Sequence, residues 1–335
     1  MIERVAKSEI QVSIVIATYQ PVYHKFLSTV QSILNQKDII FEIIITDDGS
    51  ETDYFSEIKN YFIENNFDSY QFLKHDTNLG TVKNVLDGIL ISQGQYVYLT
   101  SPGDLIYDRY TMRDYYYFAE SHNAKICFGD YVNYSANNHK ICTNTDDLAP
   151  TVTSVYSEKF QKYKTSFVLG NNVLGACYFR ERLYAIDSIN YISHASKYTE
   201  DYTSTLYGLA NNIPVYYFQR KITWYECDSG ISKQGGVWAK RIKEDVWNTY
   251  KTIITQYKND RIIDAGYIKH MPRKNNTEKL KLFSLLLIKH PFISLRYLRI
   301  NHYPKRIVDM SPSDFMYLQQ LLDNARGEEH ENSKI

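Results

Sequence analysis

Three short polar stretches have the residue types needed to hold a ligand: Thr18-Tyr19, Asp47-Asp48-Gly49-Ser50 and Ser101-Pro102-Gly103-Asp104. Each follows an apolar run, and each offers hydroxyl, carboxylate or amide groups at a sharp turn. Turns at the carboxyl ends of neighbouring parallel strands open onto one crevice, which is where open α/β sheets bind ligands. Three of them together favour a nucleotide pocket over three unrelated helix caps. Asp104 alone suits either role, ligand or cap of the next helix. A dinucleotide site is disfavoured, because the loop Ala17-Thr18-Tyr19-Gln20-Pro21 contains no GxGxxG.

The elements that must position these turns alternate regularly. Val12 to Ile16 reads as a strand rich in β-branched residues, and Phe26, Leu27, Val30, Ile33 and Leu34 follow at helical spacing. Phe41 to Thr46 is a second strand, followed by a helix marked by Tyr54, Phe55, Ile58, Tyr61 and Phe62. Tyr70 to Lys74 is a third, shorter strand, and Asn78-Leu79-Gly80 turns into a helix carrying Val82, Val85, Leu86, Ile89 and Leu90. Tyr96 to Leu99 is the fourth, with a helix near Tyr110 to Ser121 and another strand at Lys125 to Tyr131. This order predicts an α/β fold with a mainly parallel sheet and right-handed crossovers. After Gly235-Gly236 the period becomes purely helical: Trp238, Ile242, Val246, Tyr250 and Ile253, then Leu280 to Ile288, then a helix capped by Ser311 and running to about Ala325.

Composition excludes several classes. Lys+Arg and Asp+Glu both number 38, so no basic field announces a nucleic-acid partner. The four cysteines are far apart with no CxxC pair, which suggests neither a zinc site nor a disulfide framework and fits a reducing cytoplasm. No window reaches the roughly 18 apolar residues that a membrane span needs. The 31 tyrosines offer faces and hydroxyls suited to sugars or bases, although an AT-rich coding bias would raise their number too.

Val12-Ser13-Ile14-Val15-Ile16-Ala17-Thr18-Tyr19, the Asp47-Asp48-Gly49-Ser50 turn, Asn78-Leu79-Gly80 and the strand ending at Asp104 together resemble family 2 glycosyltransferases with the GT-A fold. The match in motif order covers roughly residues 11 to 232. It implies an inverting, nucleotide-sugar-dependent transferase: a GT-A domain over residues 1–235, a helical domain over 236–326 and a disordered tail over 327–335. Thr18 and Tyr19 would line the nucleoside site, with Tyr19 against base or ribose, Asp48 accepting from the uracil N3–H and Asp47 supporting it. An aromatic face and a carboxylate acceptor suit those partners. Lys83 meets the diphosphate at a helix start, or is a solvated lysine. The family's usual cluster of aspartates is reduced here, with Ser101 and Gly103 in the earlier positions and Asp104 alone remaining. A single carboxylate with diphosphate oxygens and water can still hold Mg²⁺ or Mn²⁺.

Tyr198-Thr199-Glu200-Asp201-Tyr202 resembles the family's Glu-Asp motif, which implies Asp201 as general base beside Glu200. Helix-start charge compensation is the other reading. Trp224 to Ser232 resembles a loop that often carries a histidine ligand. Here Asp228 is the oxygen donor in that neighbourhood, as a metal ligand or a plain loop residue, and Trp224 and Tyr225 stack on an acceptor sugar or pack in the core.

The helix from Leu280 to Ile288, apolar nearly all round, must be covered by its own domain, a second subunit of a homo-oligomer, or a membrane surface. Lys279, Lys281, Lys289, Arg296, Arg299, Lys305 and Arg306 suit the last, as peripheral contact. The helical extension resembles more narrowly bacterial enzymes that lengthen glycans on serine-rich surface adhesins or capsule-type polymers. That resemblance implies a cytoplasmic transferase, possible contact with the inner membrane face, and UDP-N-acetylglucosamine as leading donor, with UDP-glucose or UDP-galactose next. The rival reading is a catalytically degenerate GT-A domain that binds a glycan or partner enzyme. A nucleotidyltransferase is disfavoured, because residues 17–21 lack a glycine- and basic-rich triphosphate loop.

Overall fold

The computed structural model describes residues 9–135, 140–141, 160–170, 178–226, 236–300 and 311–332. Four parallel strands carry the three turns: β1 (Val12–Thr18), β2 (Phe41–Asp47), β3 (Tyr70–Lys74) and β4 (Tyr96–Thr100), in spatial order β3-β2-β1-β4. The apolar runs of β1, β2 and β4 are buried on both faces, as a parallel sheet between helices requires, while the edge strand β3 is half-buried. Ile14, Ile16, Ile43 and Ile45 meet Phe26, Leu27 and Phe62 of α1 (Tyr23–Leu34) and α2 (Phe55–Glu64). On the opposite face Val15, Ile44, Val97 and Leu99 meet Val82, Val85 and Ile89 of α3 (Thr81–Ile91). The order reverses between β1 and β4, so the carboxyl ends of β1, β2 and β4 surround a topological switch point.

The sheet continues beyond β4 as a mixed one. With β5 (Leu105–Ile106), β6 (Ile126–Ser135), β7 (Lys140–Ile141), β8 (Tyr178–Glu181) and β9 (Val215–Glu226), the described residues form nine strands. Strand β8 runs antiparallel to β4 and β6, whereas β9 lies parallel to β6. The helix expected before β6 is α4 (Thr111–Ser121). Strand β9 extends to Glu226, so Trp224 and Tyr225 lie on a strand where the sequence reading placed a loop. Pairing of Leu105 with Trp224 extends that strand past Phe218, a long-range contact that local pattern does not carry.

The remaining helices are α5 (Phe160–Gly170), α6 (Arg182–Ile192), α7 (Glu200–Ala210), α8 (Val237–Tyr257), α9 (Arg261–His270), α10 (Asn276–Lys289), α11 (Pro291–Ile300) and α12 (Pro312–Asn332). Tyr250, Ile253 and Ile263 of α8 and α9 share one apolar core with Phe128, Tyr163 and Tyr202. Helix α12 returns to the α/β half, where Leu318, Leu321 and Leu322 pack with Tyr107 and Trp224. It continues through Asn332, past the expected end near Ala325, so the tail expected to be disordered from Gly327 is helical to that point. Within α10 only Leu286 is buried, while Leu280 and Ile288 are 65% and 80% exposed. Packing of that helix on its own domain is therefore one-sided. Among the described residues no helix is long and apolar enough to cross a membrane.

Candidate functional site

The ends of β1 and β2 are tied into one corner. Thr18 and Asp47 are register partners, and the Thr18 hydroxyl donates to Asp47 Oδ2 at 2.8 Å. Asp47 Oδ1 accepts from the Ser50 amide at 2.7 Å, and the Gln20 amide donates to Ser50 Oγ at 2.7 Å. The two turns thus hold each other. Gly49, at φ +79°, leaves room for Thr77, whose carbonyl carbon would lie 2.8 Å from a Cβ placed there. Asp48 turns the other way and accepts from the Leu79 and Gly80 amides at 2.7 and 2.9 Å, one on each oxygen. Burial raises its pKa, opposed by those two amides and by the charges of His75 and Lys197. Tyr19 projects beside this corner with half its surface exposed. An open aromatic face next to a buried carboxylate is a combination that can receive a planar base.

The turn after β4 is pinned from below by α1. The Gly103 amide donates to Thr29 Oγ1 at 3.0 Å, Thr29 Oγ1 donates to the Asp104 carbonyl at 3.0 Å, and Tyr134 donates to the Gly103 carbonyl. Gly103 has φ +102°, a conformation that favours glycine. Asp104 accepts from the Ser101 hydroxyl at 3.0 Å and from the Glu226 amide at 3.2 Å. Burial, with the Glu226 charge nearby, pushes Asp104 up to about 7. Lys25 holds Glu226 at 3.0 Å. Glu226 and Lys25 were not read as site residues from the sequence, and their separation along the chain leaves no local signal.

Glu200 and Asp201 begin α7. Glu200 meets Arg180 Nη1 at 3.3 Å, yet burial drives it up to about 7, with the Asp201 charge adding to the shift. Asp201 is also raised, first by burial, against the Tyr202 amide that donates to it at 2.6 Å and the charge of Arg180. Arg180 is 2% exposed, and its Nε and Nη2 have no hydrogen-bond partner among the described residues. A charged residue directly after the aromatic pair Tyr178-Phe179 was the available sequence signal for it.

The loop before α7 is held by α8. Asp245 Oδ2 accepts from the amides of Lys197, Tyr198 and Thr199 at 3.1, 2.6 and 3.1 Å, and from Ser196 Oγ at 3.0 Å. On the same helix Trp238 meets the Tyr198 ring edge-on at 5.3 Å, and Arg241 lies 5.2 Å from the Tyr198 centroid. The loop also reaches the first corner. Val82 donates to the Lys197 carbonyl at 3.1 Å, and a Cβ on Gly80 would lie 2.7 Å from that oxygen. The Asp48 corner and the Glu200–Asp201 step are therefore neighbours through Gly80 and Lys197.

Thr18, Asp47 and Asp48 come together as the spacing suggested, and Ser101, Gly103 and Asp104 form one turn. Lys83 pairs its ammonium with Asp87 on the same helix, and the charges nearest Asp48 are those of His75 and Lys197. Trp224 is a core residue and not an acceptor platform. It is fully buried, stacked on Tyr107 at 4.6 Å, with Nε1 donating to the Tyr107 carbonyl at 2.9 Å. Tyr225 is half-buried beside Tyr131, with ring centroids 5.5 Å apart. Asp228 lies outside the described residues. No group of three or more His, Cys, Asp or Glu able to hold a metal occurs among the described residues.

No curated protein matches the sequence. Among solved structures, S. aureus TarS 1-349 in complex with UDP is similar at a TM-score of 0.56 and 15% identity, covering 90% of this chain and 95% of that one. S. aureus TarS matches at a TM-score of 0.54 and 16% identity over 96% of this chain and 54% of that one. TarS 1-349 in complex with UDP-GlcNAc matches at 0.52 and 13% identity over 87% and 89%. At these identities the likeness is one of fold, the GT-A type of mainly parallel sheet with a helical carboxyl-terminal region. The profile of glycosyl transferase family 2 matches residues 13–184, from β1 into α6 and through the Asp47–Asp48 and Asp104 turns. This chain belongs to glycosyl transferase family 2 and is a glycosyltransferase.

Proposed function

We propose that the chain transfers a sugar, N-acetylglucosamine in the first instance, from a UDP donor to a hydroxyl of a glycan acceptor, with inversion. The observation that carries this reading is the adjacency of the Asp48 corner and the Glu200–Asp201 step across Gly80 and Lys197. A nucleoside seated on Tyr19, with its ring N–H directed at Asp48, leads its diphosphate toward the Ser101–Asp104 turn. Each Asp48 oxygen already accepts one amide and keeps a second lone pair for the base. UDP and UDP-GlcNAc in the similar TarS structures support the choice of donor.

Asp201 acts as general base in this scheme. It removes the proton of the acceptor hydroxyl as that oxygen attacks the anomeric carbon, on the face opposite the departing UDP. Glu200 and Arg180 set the field around it. A divalent cation, Mn²⁺ or Mg²⁺, fits the buried, oxygen-lined Asp104 turn, and when bound it would supply neutralising charge for the diphosphate. Asp104 would hold it, with diphosphate oxygens completing the shell. The acceptor is a surface glycan or polysaccharide of the kind built by bacterial chain-lengthening enzymes.

Calorimetric titration of UDP, with Mn²⁺ and with excess chelator, tests the pocket, and turnover of UDP-GlcNAc tests the reaction. UDP is expected to bind, and more tightly with Mn²⁺. Asp201→Asn is expected to cut turnover by about 10²- to 10⁴-fold while leaving UDP affinity unchanged. Absence of UDP binding under both conditions would favour a glycan- or partner-binding domain, and undiminished turnover in Asp201→Asn would remove the base assignment.

A further inference from the structure

Helices α10 and α11 are anchored to the body along one side. Leu286, His290 and Ser294, spaced four residues apart, are buried. Ser294 Oγ donates to the Leu286 carbonyl at 3.3 Å, and His290 Nε2 meets Asp264 of α9 at 2.6 Å. With that side fixed, the remaining surface faces outward, and it is apolar: Leu280 is 65% exposed, Phe283 47%, Ile288 80%, Phe292 81% and Leu295 60%. Side chains of this size on a monomeric surface mark an interaction site.

The charges on the same segment are predominantly of one sign. Lys279, Lys281, Lys289, Arg296 and Arg299 are all exposed. Glu278 is the single carboxylate between residues 276 and 300, and it is turned back to accept from the Lys274 amide at 2.7 Å. A second copy meeting this face with its own identical face would bring one mainly basic rim against another, with Glu278 turned to its own helix start and Asp264 already paired with Lys289 at 2.7 Å. An anionic lipid surface supplies what the face lacks: hydrocarbon for the leucines and phenylalanines, and phosphate for the lysines and arginines. Neither helix is long enough to span a bilayer, so the geometry is one of lying in the interface.

We propose that α10 and α11 form a docking surface for anionic membrane, with Phe292, Ile288 and their apolar neighbours entering the headgroup boundary and the basic residues resting at phosphate level. The proposal does not depend on the identity of the transferred sugar or on the base assignment.

The test is co-sedimentation of the full chain with vesicles of phosphatidylcholine containing phosphatidylglycerol, compared with phosphatidylcholine alone. Binding is expected only to the mixed vesicles, weakening with salt. The exposed double variant Ile288→Glu/Phe292→Glu is expected to lower partitioning about a hundredfold. Lys281→Gln and Arg296→Gln should lower it about fivefold each. Unchanged unfolding temperature and UDP titration in these variants show that the transferase body is intact. Failure of the wild-type chain to sediment with mixed vesicles overturns the proposal, as does equal binding to both vesicle types. A wild-type dimer that Ile288→Glu/Phe292→Glu converts to monomer, with no vesicle binding by the wild type, would assign the face to a second copy instead.

Discussion

The β1–β2 corner and the Glu200–Asp201 step are both acidic and both shielded from water, but their carboxylates are satisfied to different degrees. In the corner, Asp47 and Asp48 accept short hydrogen bonds on all four oxygens, from Ser50, Thr18, Leu79 and Gly80. At the step, Glu200 has a 3.3 Å contact to an arginine whose Nε and Nη2 are unpartnered among the described residues. A carboxylate bonded on both oxygens serves as a fixed acceptor. One that burial has pushed up to about 7, as at Glu200, can exchange a proton near neutral pH, and burial raises its neighbour Asp201 as well. The corner thus has the character of a preformed binding surface, and the step that of a reacting edge.

Replacing Asp245 probes what holds the step in place. Asp245→Ala strips one hydroxyl and three backbone amides of their acceptor, so a loss of about 2–4 kcal/mol in unfolding free energy is expected in urea titration. Asp245→Asn keeps one acceptor oxygen and should recover part of that stability. Turnover of the stable fraction is expected to fall while UDP affinity stays the same, and a matched fall in affinity would show that the loop serves the corner equally. Asp48→Ala attacks the other side of the comparison. It leaves the part-buried Leu79 amide and the buried Gly80 amide without their acceptor, about 1–3 kcal/mol of stability, and is expected to abolish measurable UDP binding in calorimetry.

The pH dependence of stability sharpens the contrast. The folded pKa of Glu200 lies above its ordinary 4.5, at about 7, because burial disfavours the charged form. Its contribution to stability is therefore fully present below about pH 4.5 and is lost as the pH rises through 7. Glu200→Gln, neutral throughout, should have an unfolding free energy in urea titration that gains on the wild type between pH 5 and pH 8, by a few kcal/mol at most. Parallel curves would mean that Arg180 holds the carboxylate ionised. The smallest effect is expected at Tyr19, half-exposed beside the corner. Tyr19→Ala should weaken UDP by about tenfold or less with no change in unfolding temperature.

The α/β half was legible because its period and its turns are local properties. Strands such as Val12–Thr18 and Phe41–Asp47 announce themselves by β-branched runs, and parallel pairing then brings Thr18 opposite Asp47 without further information. What escaped depends on contacts far apart in the chain. Trp224 reads alike as a sugar platform or as core, and only its pairing with Leu105 and stacking on Tyr107 decide the matter. Asp245 sits among charged residues on a helix, and nothing nearby says that it reaches a loop more than forty residues earlier. Lys83, read as a diphosphate contact or a solvated lysine, is half-exposed and pairs with Asp87 one helical turn on.

The return of α12 to the α/β half has a consequence for the order in which the chain matures. Tyr107 and Trp224 are covered by Leu318, Leu321 and Leu322, and Tyr107 donates to Asp314 at 2.7 Å. On a ribosome, the strands that carry the pocket are complete long before those leucines are synthesised. Until then the outer edge of β5 and β9 remains uncovered, an aromatic surface open to self-association or chaperones. Closure of this edge thus waits for residues synthesised long after the ones it protects.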